Sequence, residues 1–321
     1  MTGVLSAVNI AVIGAGISGL GCAYHLAKRG HRVHIFEARD RIGGHTATYD
    51  VHLGARRFAI DTGFIVYNDR NYPNLVRLFD ELGVTTHDTS MGFSVCDEAT
   101  GLEYAGNSLN TLFAQRGNLL SPSFLGMVRE ILRFNKLAVS DLDAGRLSPD
   151  QTVGDYLSNN GFSDHFARQY LLAMTSAIWS ADAEDALDFP LEFFVRFFRN
   201  HGLLSLKDRP QWRVVDGGSR EYLAPLTQRV ADSIRTRMPV SRILRPPGKP
   251  VVVQFTNGLM REFDEVVIAT HSDEALKMLG DPTDHEKAVL GAMPYRDNEV
   301  ILHTDTRLLP KTQRAWSSWN Y

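Results

Sequence analysis

Cysteine is scarce in this chain: of 321 residues, only Cys22 and Cys96 carry a thiol. Two thiols cannot build the disulfide framework of a small secreted domain, and no C-x-x-C pair is present for zinc or thiol exchange. An excess of either charge is also missing. The 34 Lys and Arg nearly balance the 37 Asp and Glu, and a net charge of -3 offers no field for gripping a nucleic-acid backbone. No apolar run reaches the roughly 18 residues of a membrane-spanning helix. The apolar first 22 residues lack the basic start of a signal peptide. The eleven histidines form no zinc-type cluster, so no metal site is expected. There is no G-x-S-x-G, P-loop or H-E-x-x-H, no internal repeat and no low-complexity tract. Together these absences predict a protein of a reducing, cytoplasmic setting with no nucleic-acid partner.

What is present is a globular composition, 44% hydrophobic and 22% charged, over a length that suggests about two domains. Asn9–Ile13 reads as a buried strand, Gly14–Gly19 as a tight loop, and Leu20, Ala23, Tyr24 and Ala27 recur at helical spacing. Gly30 suits the position after that helix, and Val33–Glu37 reads as a second strand, completing a βαβ unit. Helices are predicted over 72–83, from Ser121-Pro122 onward, after the Thr152/Asp155 capping box, over 190–199 and over 220–236. Strands are predicted at 239–244, 251–256, 266–269 and 300–303, with Asn257-Gly258 as a hairpin turn. The stretch 108–205 is mainly helical. The aromatic run Phe193–Phe198 reads first as core and second as a membrane-facing patch, and Trp179 as a core residue before a cavity residue.

Gly14-Ala15-Gly16-Ile17-Ser18-Gly19 is G-x-G-x-x-G in the context that gives it meaning, after a strand and opening a helix. Gly14 permits the tight turn, Gly16 the approach of a pyrophosphate, and Gly19 close helix–strand packing. The helix N-terminus offers N–H donors and partial positive charge. Glu37, 18 residues after Gly19, can accept from ribose hydroxyls and would repel a 2′-phosphate, which disfavours NADP.

The motif continues as Glu37-Ala38-Arg39-Asp40-Arg41-Ile42-Gly43-Gly44-His45-Thr46. Here the chain resembles the FAD-dependent amine oxidase superfamily, with its Glu-Ala-x-x-Arg-x-Gly-Gly signature, and within it a bacterial subgroup of predicted NAD/FAD-binding proteins. Asp61-Thr62-Gly63-Phe64-Ile65, Val215–Ser219, Val240 and Val266–Thr270 resemble further segments of that family, and Ala177–Ser180 and Trp316–Tyr321 phrases of the subgroup. The resemblance implies an α/β fold: a doubly wound, Rossmann-like FAD-binding domain (1–84 and 206–283) with a mainly helical plus sheet substrate domain (85–205 and 284–321). It implies non-covalent FAD held by Gly14, Ala15, Gly16, Ile17, Ser18, Gly19, Glu37, Ala38, Arg39, Arg41, Gly43, Gly44, His45, Thr46, Thr62, Gly63, Phe64, Ile65, Val240 and Thr270. It implies oxidation of a small or lipidic substrate by hydride transfer to flavin N5, the helical lobe forming the substrate cavity. Peripheral membrane contact stays open, as does the oligomeric state.

The chain departs from the family at three places. His45 follows the second glycine pair where the family carries Arg. Arg296-Asp297-Asn298-Glu299 contains no Lys where monoamine-oxidase-like members hold one, so no catalytic base is assigned. Nothing after Ala292 matches the family's closing segment, which implies about a hundred further residues. Two rivals remain: an NAD-dependent dehydrogenase, disfavoured by Gly43-Gly44, and a non-catalytic binding protein of the same architecture, disfavoured by the intact first loop.

Overall fold

The computed structural model describes residues 6–179, 183–205 and 209–321. They divide into two units: residues up to Val66 with Asn74–His87 and Val214–Glu299, and Tyr67–Pro73 with Asp88–Arg213 and Val300–Tyr321. This division runs 88–213 where the sequence suggests 85–205, and it puts 284–299 in the first unit. Residue 206, a predicted boundary, lies outside the described residues.

The first unit is built on a parallel sheet. Strand β1 (Asn9–Ile13) is almost wholly apolar and is flanked by parallel partners on both sides, as such a continuous run demands. Helix α1 (Ile17–Lys28) buries Leu20, Ala23 and Tyr24, and Gly30 ends it at φ +86°. Strand β2 (Arg32–Phe36) then pairs with β1 from Asn9↔Arg32 to Ile13↔Phe36, while Glu265–Ile268 pairs with the other edge of β1. An antiparallel sheet of Val240–Leu244, Val251–Phe255 and Met260–Phe263 packs on the parallel one, its Val253, Phe255 and Phe263 meeting Ala11, Ile13 and Phe36.

Two sequence expectations fail here. The predicted helix over 220–236 is instead a 3-10 turn at Ser219–Tyr222, a short helix at Leu223–Thr227 and a second 3-10 turn at Ala231–Ser233. It ends in Ile234–Arg235, recruited as a parallel strand beside β2. Tertiary pairing overrides helical propensity there. The predicted strand 300–303 forms no ladder among the described residues, and Val300, Ile301 and Leu302 are exposed. Apolar β-branched composition alone does not make a strand without a partner's hydrogen bonds.

In the second unit the helix Pro122–Asp143 starts as its sequence suggests. Pro122 occupies the first turn, and Ser121 accepts from the Phe124 N–H at 3.3 Å. The Thr152/Asp155 capping box opens the helix Val153–Asn159. The aromatic run forms the helix Leu191–Asn200, whose Phe194, Val195 and Phe198 are fully buried against Phe134 and Phe166. Arg196 turns outward to Glu192. Trp179 packs among Phe189, Phe194, Phe197 and Phe198, the core reading of that residue, while Ser180 lies outside the described residues. Each buried Phe contributes roughly 1.5–3 kcal/mol of apolar transfer, so this cluster dominates the unit's stability.

One buried carboxylate ties the last segment to this core. Glu103, 5% exposed on the strand Leu102–Ala105, accepts from the backbone N–H groups of Lys311 and Thr312, both at 2.8 Å. Beyond it, Trp319–Asn320 adds a parallel strand to Phe93–Asp97. Burial pushes the Glu103 carboxyl up, but the bonds from Thr312 and Lys311 outweigh it and hold it below the ordinary glutamate value. A depressed carboxylate contributes stability that is complete above about pH 4.3 and is lost as pH falls through the lower folded value. We expect Glu103→Gln to destabilise the second unit by about 1–3 kcal/mol at pH 7, with the difference from wild type shrinking below about pH 4. Urea unfolding followed by tryptophan fluorescence measures this, since all four tryptophans lie in that unit.

Candidate functional site

The candidate site lies wholly in the first unit, where β1 and β2 end. Gly14 follows β1, turns at φ +99° and donates to the Phe36 carbonyl at 2.8 Å. A Cβ on Gly14 would stand 2.6 Å from the Ala269 carbonyl oxygen, and one on Gly19 would stand 1.9 Å from the Gly14 carbonyl oxygen. These two glycines are therefore required by the protein's own packing. Gly16 differs. Its backbone is extended, and a Cβ there would meet only the Gly44 Cα, at 3.9 Å. Gly16 caps α1 with no side-chain acceptor, and Ile17 and Ser18 of the first turn are exposed. The first N–H groups of a helix have no intrahelical partner, so this end presents donors and positive dipole to solvent.

The second glycine pair packs against this end. The Gly43 N–H donates to the Ala15 carbonyl at 2.7 Å, and Gly16 and Gly43 form an isolated parallel bridge. Gly44, at φ +58°, approaches so closely that its Cβ would lie 3.0 Å from the Gly16 Cα. Arg41 closes the turn from within, donating to the carbonyls of Gly44 (3.0 Å) and Thr46 (3.3 Å). Thr46 is buried, with its hydroxyl on Tyr222. Burial pushes the Tyr222 phenol up, so it stays neutral, although the Thr46 bond opposes this.

Glu37 sits at the end of β2, half-buried. Its Oε2 accepts from the Ala15 N–H at 2.8 Å and its Oε1 from the Arg39 N–H at 2.9 Å. The sequence assigns this carboxylate to a ligand; in the structure it also shapes the loop. An ionised carboxylate has about four acceptor positions, which leaves about two for a ligand. Its own carbonyl accepts from Met238 at 2.9 Å, which brings Val240 within two residues of it; Ala38 and Arg39 are exposed beside it.

Thr62, Gly63 and Phe64 run alongside His45. Thr62 donates to the Ala47 carbonyl, Phe64 to that of His45, and a Cβ on Gly63 would stand 2.1 Å from the His45 carbonyl oxygen. Ile65 is exposed. Asp61 accepts from the Thr48 hydroxyl at 2.5 Å, the Ser219 hydroxyl at 2.7 Å and the Ser219 N–H, joining the Asp61 segment to the turn after Gly217-Gly218. Thr270 borders Gly14. Sequence reasoning misses a three-ring stack in which His271 lies 5.7 Å from His45 and 4.4 Å from Tyr295. It misses Tyr222 too. These partners are far apart in the chain, and no local spacing announces them.

An extended dinucleotide needs a bare backbone strip, outward N–H donors and an acceptor for ribose. Gly16 facing Gly44, the uncapped start of α1 and the remaining acceptor capacity of Glu37 fit that requirement. No helix among the described residues is long and apolar enough to cross a membrane.

The family model for flavin containing amine oxidoreductase matches residues 17–317. The chain is 25% identical, over 97% of its length, to AofH of Mycobacterium tuberculosis, a protein provisionally named a flavin-containing monoamine oxidase. It spans 65% of that relative. Cyclohexylamine oxidase from Brevibacterium oxydans superposes with a TM-score of 0.66 at 21% identity, covering 89% of this chain and 63% of that one. A fatty acid isomerase from P. acnes superposes with a TM-score of 0.56 at 18% identity, covering 88% and 63%. These likenesses show a shared α/β fold.

The glycines separate folding from ligand accommodation. We expect Gly19→Ala to lower thermal stability by at least about 2 kcal/mol, because its Cβ has no space. Gly16→Ala should cost no more than about 1 kcal/mol, the scale of a changed N-cap. Equal losses in the two melting curves would contradict the assignment.

Proposed function

The chain belongs to the flavin-containing amine oxidoreductase family, and on that premise we propose that it is an FAD-dependent oxidoreductase, with FAD bound non-covalently, acting on a small or lipidic substrate. The observation that carries this reading is the contact of two glycine segments, Gly14–Gly19 and Gly43-Gly44, joined by the Gly43 N–H to Ala15 bond. A nicotinamide dinucleotide needs only the first segment; the second lengthens the bare strip along which a larger dinucleotide lies.

Bound flavin supplies the electron-pair acceptor, at its N5, for a hydride leaving substrate carbon. The chain's residues then bind and orient. The first turn of α1 at Gly16, Ile17 and Ser18 would donate to the dinucleotide phosphates, its cap carrying no side-chain acceptor. Glu37, which holds the Ala15 N–H, would accept from a ribose hydroxyl with its remaining acceptor capacity. Ala38, Arg39 and Val240 border that ribose end, and Arg41 and Thr46 keep the Gly43-Gly44 turn in shape. His45, Thr62, Gly63, Phe64, Ile65 and Thr270 line the continuation of the strip. Arg296-Asp297-Asn298-Glu299 offers no lysine, so the reading names no amine and no base.

Titration calorimetry of the apoprotein should show FAD bound far more tightly than NAD, and NADP bound weakest because its 2′-phosphate faces Glu37. Gly16→Val should weaken FAD at least tenfold, about 1.4 kcal/mol, with little change in the melting curve of the apoprotein. NAD bound more tightly than FAD would overturn the reading.

A further inference from the structure

The helix Pro122–Asp143 of the second unit has two unlike faces. Phe124, Met127, Phe134 and Ala138 are buried in the aromatic core. Leu125, Arg129, Leu132 and Lys136, at i, i+4, i+7 and i+11, form an exposed stripe on the other side. At 1.5 Å per residue this stripe runs for about 17 Å. Apolar exposure continues at the start of the helix, where the 3-10 turn Arg116–Leu120 carries Leu119 and Leu120 at the surface, Leu120 being 87% exposed. The short helix Leu109–Leu112 is fixed beside that end, since the Phe113 ring following it meets the Phe124 ring at 5.6 Å, and its Leu109 is 76% exposed. A single exposed leucine is ordinary, but five on adjoining elements mark a surface that meets something.

The charge set between these leucines is of one sign. Arg116, Arg129, Arg133 and Lys136 have no carboxylate partner among the described residues. Arg116 donates to the Asn110 and Phe113 carbonyls. Arg133 donates to the carbonyls of Asn160 and Gly161, both at 3.1 Å, with its guanidinium 4.0 Å from the centre of the Phe162 ring. Neutral partners hold these two side chains without cancelling their charge. From Arg116 to Lys136 the one acid is Glu130, and its carboxylate is taken by the N–H and hydroxyl of Ser163. The aromatic helix Leu191–Asn200 shows the opposite arrangement: Phe194 and Phe198 face the core, and Arg196 and Arg199 are paired with Glu192 and Asp143.

We propose that this surface docks on an anionic phospholipid bilayer, with the outer face of the helix lying along the membrane plane. Unpaired cations call for a negative partner, and the leucines between them call for one that also takes up apolar groups. A bilayer surface of anionic lipid offers both at once. Leucines enter the boundary of the acyl chains, while Arg and Lys lay their aliphatic stems along it and keep their charges at the phosphates. An acidic protein or a soluble polyanion would match the cations alone and leave the leucines in water. The outer face of a helix is convex, so it suits a partner that yields around each side chain. The surface lies wholly in the second unit and does not depend on the cofactor reading.

Co-sedimentation of the full 321-residue chain with vesicles tests this, comparing phosphatidylcholine alone with phosphatidylcholine containing about one-third phosphatidylglycerol. We expect the chain to bind the anionic vesicles and not the neutral ones, and to bind more weakly as salt is raised. Arg129→Gln together with Lys136→Gln should weaken binding by about twentyfold or more, near fivefold for each charge. Leu119→Ser together with Leu120→Ser should weaken vesicle binding by about tenfold and leave binding to heparin, a soluble polyanion, unchanged. All four side chains are exposed, so melting curves should match wild type. If the leucine variant fails to fold, the charge variant and the two vesicle compositions still decide. Absence of vesicle binding, equal binding to neutral and anionic vesicles, or unchanged vesicle affinity in either folded variant would overturn the proposal. Loss with the charge variant but not with the folded leucine variant would instead assign the surface to a polyanion or an acidic protein.

Discussion

The first unit depends on two stretches of backbone meeting without side chains between them. The Gly43 N–H reaches the Ala15 carbonyl at 2.7 Å, and Gly44 comes so near Gly16 that a single added Cβ would stand 3.0 Å from its Cα. Glycine at 43 and 44 allows that approach, since an added Cβ would crowd Thr46 or Gly16 and the positive φ at both adds a second reason. Everything proposed for the cofactor follows from this contact, since it sets the start of α1 beside the turn that Arg41 closes.

The contact is supported from behind by polar groups with double duties. Glu37 holds the loop at Ala15 and retains acceptor capacity toward a ligand. Asp61 gathers Thr48 and Ser219, so that the turn after Gly217-Gly218 cannot drift from the segment beside His45. Satisfied networks of this kind orient a site more firmly than apolar packing alone, because each donor has one good partner and displacing it leaves a group unpaired. Removing such a group would cost shape as well as ligand contact, so Gly16, with no internal packing role, is the cleaner probe of binding.

The second unit is organised differently. Its stability rests on an aromatic core around Phe134, Phe166, Phe194 and Phe198, with one buried carboxylate, Glu103, fastening the last segment. Buried Glu103 and Thr175 are hydrogen-bonded, whereas Asn68 Nδ2, Asn71 Oδ1, Asn135 Oδ1 and Ser176 Oγ are buried with no partner among the described residues.

Much of the first unit, and some helix starts of the second, were legible because their signals are local. The β1–α1–β2 unit, the roles of Gly14 and Gly19 and the caps at Ser121 and Thr152 each follow from a few adjacent residues, where backbone sterics and helix-end hydrogen bonding act. The family resemblance was legible in the same residues, since Glu37–Gly44 continues the first motif directly. The misses were non-local. Ile234–Arg235 became a strand because β2 offered it a ladder, against the helical pattern of 220–236. Val300–His303 stayed irregular because composition cannot supply a partner. The His45–His271–Tyr295 stack, the Thr46–Tyr222 bond and the unpartnered oxygen of Asn135 joined or isolated groups by burial and long-range packing. By itself the sequence determined where the chain turns, which helix starts from a glycine loop and which family it resembles, because glycines and caps act within a few residues. Only the tertiary structure decided which polar atoms are already satisfied and which are still waiting for a partner, because a hydrogen bond between distant residues exists only once packing has brought them together.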